Sequence, residues 1–305
     1  MKTFVLFEKY KSSIEDNPSS EWLINQFNRG EKIFVMRETR THDEEVLNFS
    51  NFFKVLLNYS LLKTQFEKSS LIWLRMPSPL TFLTFVFFYK TIKKKECHIH
   101  FCANILTFSF LKRKFNFINL GRFLYGQLLK IIFKKSSKHY YYYTGTHVKK
   151  NLRLNLDSKF IIDQSTEEQV KMDGEGVAYF GRFLKLKDLK FLKFIEDNKI
   201  TVHCYGSGDK VDHENLIFHG LLSSRMVQNC MNTYKTIILP GNEYFEGFPR
   251  IIYLAMKLNK NLIISNESNF IDDIRFYPNI TFYGDRPFSE INEISELDIK
   301  TINKL

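Results

Sequence analysis

Arg182 and Lys187 stand five residues apart at the end of an apolar run, Val177-Ala-Tyr-Phe-Gly181. Two cations at a strand exit can hold an anionic group and stabilise negative charge that grows as a bond breaks. The other role open to them is ordinary surface charge. Further along, Glu246 opens the stretch Glu246-Gly-Phe-Pro-Arg-Ile-Ile-Tyr-Leu-Ala-Met256. Pro249 suits the first turn of a helix, where its missing N–H has no partner to lose. Such a helix start carries outward-pointing amides and positive dipole character, which suits a phosphate. A carboxylate beside it can bind sugar hydroxyls, or simply cap the helix. Gly206-Ser-Gly208 is a weak phosphate-loop signal and reads first as a tight turn.

These groups need elements to hold them. Lys235-Thr-Ile-Ile-Leu-Pro240 reads as a strand, residues 249–258 as a helix and Asn261-Leu-Ile-Ile-Ser265 as the next strand. Around that unit, residues 177–182, 201–205, 215–220 and 280–283 read as strands. Helices are expected near 187–197, 223–231 and from about 287. The first half has the same layout, with strands at 3–7, 32–37, 71–75, 97–102, 140–143 and 160–163. Helices there are expected near 20–28, 51–66 and 80–92. Strands alternating with helices imply a parallel sheet covered on both faces. The polar, Gly-containing run Lys171-Met-Asp-Gly-Glu-Gly176 divides the halves, giving domains 1–170 and 171–305.

The stretch from Val177 to about Asp273 resembles the donor half of retaining glycosyltransferases with the GT-B fold, the family 4 type. The match comprises the Gly-Arg then Lys pattern, the Gly-Ser-Gly turn, a His-Gly after a strand, and Glu246, Gly247, Phe248, Pro249, Ala255 and Met256 in order. The resemblance implies an α/β fold of two doubly wound Rossmann-like domains facing across a cleft. It implies Glu246, Arg182 and Lys187 as the catalytic set, and Gly181, Gly247, Phe248, Pro249, Arg250 and Leu254 as the donor-binding set. It implies a nucleotide-sugar donor as substrate, with no metal and no other cofactor. Leu254 departs from the pattern: the family has a second Glu there, accepting hydrogen bonds from the nucleotide's ribose, and Leu accepts none.

The first half matches only in layout. Strand C-terminal ends in such sheets face the ligand crevice, so Arg75, Ser78, His100 and Asn104 are acceptor-side candidates. His98 and His147 are outsiders, and a hydrogen-bonded core histidine fits them as well.

The 305-residue chain carries a net charge of +11, unevenly spread. Between Cys97 and Asn155 there is no Asp or Glu, but there are Lys112, Arg113, Lys114, Arg122, Lys130, Lys134, Lys135, Lys138, Lys149, Lys150 and Arg153. Within it, segment 110–139 places Phe117, Leu120, Leu124, Leu128 and Ile131 at helical spacing. A basic amphipathic helix results, packing either on the sheet or on an anionic membrane surface. Each basic residue near such a surface contributes about 1 kcal/mol. The four cysteines show no metal-binding spacing, and the longest apolar run is too short to span a bilayer. The expectation is therefore a cytoplasmic protein, peripheral on the inner face of the cytoplasmic membrane. It would glycosylate a lipid-linked saccharide acceptor or a polysaccharide in capsule, exopolysaccharide or lipopolysaccharide assembly. Two alternatives remain: a non-catalytic GT-B partner subunit, which Leu254 favours, and an RNA- or DNA-binding protein using basic stretch 97–155. Nothing in the second half asks for nucleic acid, which ranks that reading last.

Overall fold

The computed structural model describes residues 2–6, 32–37, 47–48, 52–113, 115–134, 139–153, 159–160, 174–240, 248–275 and 277–284. The chain forms two compact units, each with its own sheet. The first has strands β1 (Lys2–Leu6), β2 (Lys32–Arg37), β3 (Leu47–Asn48), β4 (Ser69–Met76), β5 (Glu96–Phe101), β6 (Tyr140–Tyr143) and β7 (Lys159–Phe160). They are parallel, in the order β3-β2-β1-β4-β5-β6-β7. The order reverses between β1 and β4, the switch point of a Rossmann-like sheet.

The described helices of this unit are α1 (Phe52–Leu57), α2 (Tyr59–Lys68), α3 (Pro79–Phe87), α4 (Tyr89–Ile92), α5 (Phe108–Arg113), α6 (Phe117–Lys134) and α7 (Thr146–Leu152). The expected helices at 51–66 and 80–92 are each broken, at Asn58 and Phe88. Leu62, Phe66, Phe85, Leu129 and Phe133 join Ile72, Leu74, Ile99 and Phe101 in one core, so α2, α3 and α6 cover one face of the sheet. Burying each such side chain stabilises the fold by about 1.5–3 kcal/mol.

Helix α6 does not bury the stripe that its sequence spacing picks out. Leu129, Phe133 and Gly126 face the sheet, whereas Phe117 is 85% exposed, Leu124 58% and Ile131 61%. The periodicity identified the helix but not its inward face, because α6 is apolar on both sides. Lys135 and Lys138 lie outside the described residues.

The second unit has β8 (Val177–Arg182), β9 (Val202–Ser207), β10 (Leu216–Gly220), β11 (Thr236–Leu239), β12 (Asn261–Ser265) and β13 (Ile280–Tyr283). They are parallel, in the order β10-β9-β8-β11-β12-β13. Here the reversal falls between β8 and β11. A 3₁₀ turn (Phe183–Lys187) leads into α8 (Leu189–Asp197), followed by α9 (Ser224–Asn232), α10 (Arg250–Lys257) and α11 (Ile271–Ile274). The expected domain boundary at 170–171, the helix near 20–28 and the one from 287 lie outside the described residues.

Candidate functional site

At the switch point of the second sheet, β8 and β11 run side by side and end on the same edge. In open α/β sheets that edge is where ligands bind. Three devices shape it.

First, β8 ends under control. The buried Tyr179 curls beneath Gly181, where a Cβ would meet the Tyr179 hydroxyl at 2.5 Å, and that hydroxyl donates to the Arg182 carbonyl at 2.7 Å. Beside it, Gly206 pairs with Gly181, and any Cβ on Gly206 would collide with the Gly181 carbonyl oxygen. Close backbone approach thus explains Gly206, while Gly208 holds a φ of +117°, which side-chain-bearing residues rarely adopt.

Second, the 3₁₀ turn is pinned from inside. Phe183 and Leu186, three apart and eclipsed as 3₁₀ geometry requires, are buried, and Phe183 stands edge-on to Phe218 at 4.8 Å. Arg182 and Lys187 are left exposed, and among the described residues neither is ion-paired. Asp188 then caps α8, accepting from the Lys190 amide at 3.0 Å. Tyr179, Phe183 and Leu186 escaped the sequence reading because their types signal only core.

Third, α10 starts at Pro249, which provides no side-chain cap. Phe248 is buried and packs edge-on to Phe270 at 5.9 Å, fixing the chain's entry to the helix. Arg250 is the first helical residue. Leu254 is buried, 4% exposed, as are Ile252 and Ala255 of the same helix. Glu246 and Gly247 lie outside the described residues, so the structure brings together Gly181, Arg182, Lys187, Phe248, Pro249, Arg250 and Leu254 in one unit without a position for the carboxylate.

In the first unit the acceptor-side candidates cluster at the C-terminal ends of β4 and β5, each with an internal role. Arg75 Nε donates to Cys102 Sγ at 3.0 Å. Ser78 Oγ caps α3, accepting from the Thr81 amide at 3.2 Å. His100 Nε2 contacts Thr144 Oγ1 at 2.7 Å, and its ring meets Trp73 edge-on at 5.8 Å. Asn104 Oδ1 accepts from the Ile105 amide and from Asn151 Nδ2, each at 2.9 Å. His98 bridges Glu96 Oε1 at 2.9 Å and the Tyr142 hydroxyl at 2.7 Å. Burial first, then the nearby Glu96 charge, pushes the Tyr142 phenol up to about 12, so this hydroxyl is no ready base. His147 sits on α7. Among the described residues no group of three or more His, Cys, Asp or Glu is gathered for a metal ion, and no helix is long and apolar enough to cross a membrane.

No family model and no curated protein matches the sequence. Solved structures do resemble the chain. Anabaena Alr3699/HepE in complex with UDP superposes with a TM-score of 0.64 at 12% identity, covering 100% of this chain and 89% of that one. A glycosyltransferase from Rickettsia africae ESF-5 gives 0.57 at 13% identity, covering 92% and 83%. A Listeria monocytogenes protein described as a UDP-N-acetylglucosamine 2-epimerase gives 0.52 at 8% identity, covering 92% and 82%. The shared feature is the GT-B fold of two Rossmann-like α/β units, and this chain has it.

Proposed function

We propose that the protein is a retaining glycosyltransferase of the family 4 type. It moves a sugar from a nucleotide-sugar to a lipid-linked or polysaccharide acceptor at the inner face of the cytoplasmic membrane, as capsule, exopolysaccharide or lipopolysaccharide assembly requires. The observation that carries this reading is the second sheet's switch point. It sets two exposed cations, Arg182 and Lys187, and the start of α10 at one strand edge. UDP in the Anabaena relative supports a nucleotide ligand. The fold alone does not choose, since it also carries the protein described as an epimerase.

In this reading residues 171–305 bind the donor and residues 1–170 the acceptor. The bond between the sugar's anomeric carbon and the diphosphate oxygen breaks, and the electron pair leaves with the diphosphate. Arg182, Lys187 and the first amides of α10 stabilise that charge. An acceptor hydroxyl bonds to the anomeric carbon on the same face, and its proton ends on the departing diphosphate. Glu246 holds the sugar's hydroxyls, and no metal takes part. The Leu254 position favours one rival, a non-catalytic GT-B subunit.

Screening the purified protein against a panel of nucleotide-sugars, with calorimetry for binding and nucleoside diphosphate release for turnover, separates the two. Donor binding with turnover supports the enzyme. If no nucleotide or nucleotide-sugar binds at millimolar concentration, the enzyme reading fails and the subunit takes its place.

A further inference from the structure

The outer surface of the first unit's helical layer has the wrong polarity for water. Along α6, Phe117, Leu124, Leu128 and Ile131 form one stripe, all exposed. The helix is 18 residues long, about 27 Å at 1.5 Å per residue. Beside it lies α3: Phe85 packs on Phe133 at 5.1 Å, and the Tyr125 hydroxyl donates to the Pro77 carbonyl at 3.0 Å. Helix α3 contains no charged residue, and Val86 on its outer side is 45% exposed. Exposed apolar side chains gathered on two neighbouring helices in this way mark an interaction site.

The charge around it says what covers it. From Phe52 to Lys134 the only carboxylates are Glu67 and Glu96. Glu67 is already paired with Lys63 at 3.9 Å, and Glu96 with His98. Exposed Lys90, Lys93 and Lys94 flank the layer at the end of α4, and Lys112 stands on α5. A second copy docked on this face by two-fold symmetry would set basic surface against basic surface. An apolar stripe rimmed by cations and almost free of acid instead matches the boundary between headgroups and acyl chains of an anionic bilayer.

We propose that this face, α6 with α3 beside it, inserts its apolar stripe into an anionic lipid surface while the rim lysines bind headgroups. This deepens the membrane side of the proposed function, and the contact itself does not depend on turnover. It also sets the salt response. Headgroup pairing is screened by salt, whereas apolar insertion is not, so a large fraction of the protein stays bound at 1 M salt.

The test uses sedimentation with vesicles of phosphatidylglycerol and phosphatidylcholine, and with phosphatidylcholine alone. Wild type should pellet with the anionic vesicles and partly resist 1 M NaCl. The triple variant Leu124→Ser, Leu128→Ser, Ile131→Ser should bind at least tenfold more weakly and be released fully by salt. Its thermal melting should match wild type, because the replaced side chains are exposed. Equal binding of the two proteins, or wild type remaining in the supernatant, overturns the proposal. So does a wild-type dimer in gel filtration that the triple variant converts to monomer, which assigns the stripe to a second copy. Nucleotide-sugar binding, measured on the same samples, keeps the two ideas apart: if it persists while vesicle binding fails, only the docking face is lost.

Discussion

At the scale of single residues, the proposed donor edge rests on exposed charge held by buried supports. Arg182→Ala and Lys187→Ala should each lower turnover by roughly 10²-fold, the usual loss for a preorganised charge donor, while a chelator leaves wild type unchanged. Initial rates of nucleoside diphosphate release with and without EDTA check both; strict dependence on a divalent ion contradicts the assignment. Leu254 asks a different question. Supplying the carboxylate of the family 4 pattern by Leu254→Glu offers a ribose an acceptor, but Leu254 is buried, 4% exposed. A carboxylate there loses hydration, which costs about 2 kcal/mol or more until a partner arrives. Leu254→Glu should therefore melt below wild type and recover part of that loss on adding nucleoside diphosphate. Scanning calorimetry with and without the nucleotide decides: a loss that nucleotide does not reduce places Leu254 away from the ribose. The spacing of Arg182, Lys187 and the Pro249 helix start was legible in the sequence because charge and turn chemistry are local. Tyr179 was not, since its value lies in one hydroxyl reaching the Arg182 carbonyl.

At the scale of elements, the strands were read closely, because parallel strands buried on both faces show as short apolar runs. Two-residue β3 and the four-residue α11 were missed, being too short to carry a period. Helix α6 shows the other limit: with apolar residues on both sides, periodicity cannot tell the sheet side from the outer side. Pairing between strands also creates chemistry that no linear spacing reveals. On neighbouring β9 and β10, His203 Nδ1 and His219 Nε2 sit 2.8 Å apart with rings stacked. One ring must donate and the other accept, and Tyr205 and Tyr234 are the other titratable groups against them. Burial, then the neighbouring His219, lowers the affinity of His203 for a proton below the ordinary value of 6.5. The unfolded chain thus takes up the proton first as pH falls, so stability is full above 6.5 and declines below it. His139 in the first unit, lowered by burial, acts in the same direction. Melting temperature should be level above about pH 7.5 and fall towards pH 5, and His203→Gln should remove only the second unit's share of the fall. An unchanged slope in that variant would show that the pair does not titrate.

At the scale of the whole molecule, two Rossmann-like units were expected from the repeated strand and helix layout, and that is the fold found. What the fold leaves open is which reaction it serves, because function resides in the site and not in the architecture. The two units offer a way to ask. The described residues of the proposed donor edge lie in the second unit, whereas the apolar, basic helical layer lies in the first. If one unit grips the nucleotide and the other meets the lipid surface, lipid should enter the kinetics through the acceptor alone. With a lipid-linked acceptor in phosphatidylglycerol vesicles, the triple α6 variant should raise the apparent acceptor KM by about tenfold, since surface binding concentrates enzyme and acceptor together. The donor KM should stay the same, and so should kcat with a short, water-soluble acceptor. A salt series provides the control: increasing salt should raise the vesicle acceptor KM of wild type modestly and that of the variant steeply, because the variant depends on screened charge alone. A variant that changes the donor KM as well would mean that α6 influences the donor edge, and the division of labour between the units would have to be abandoned.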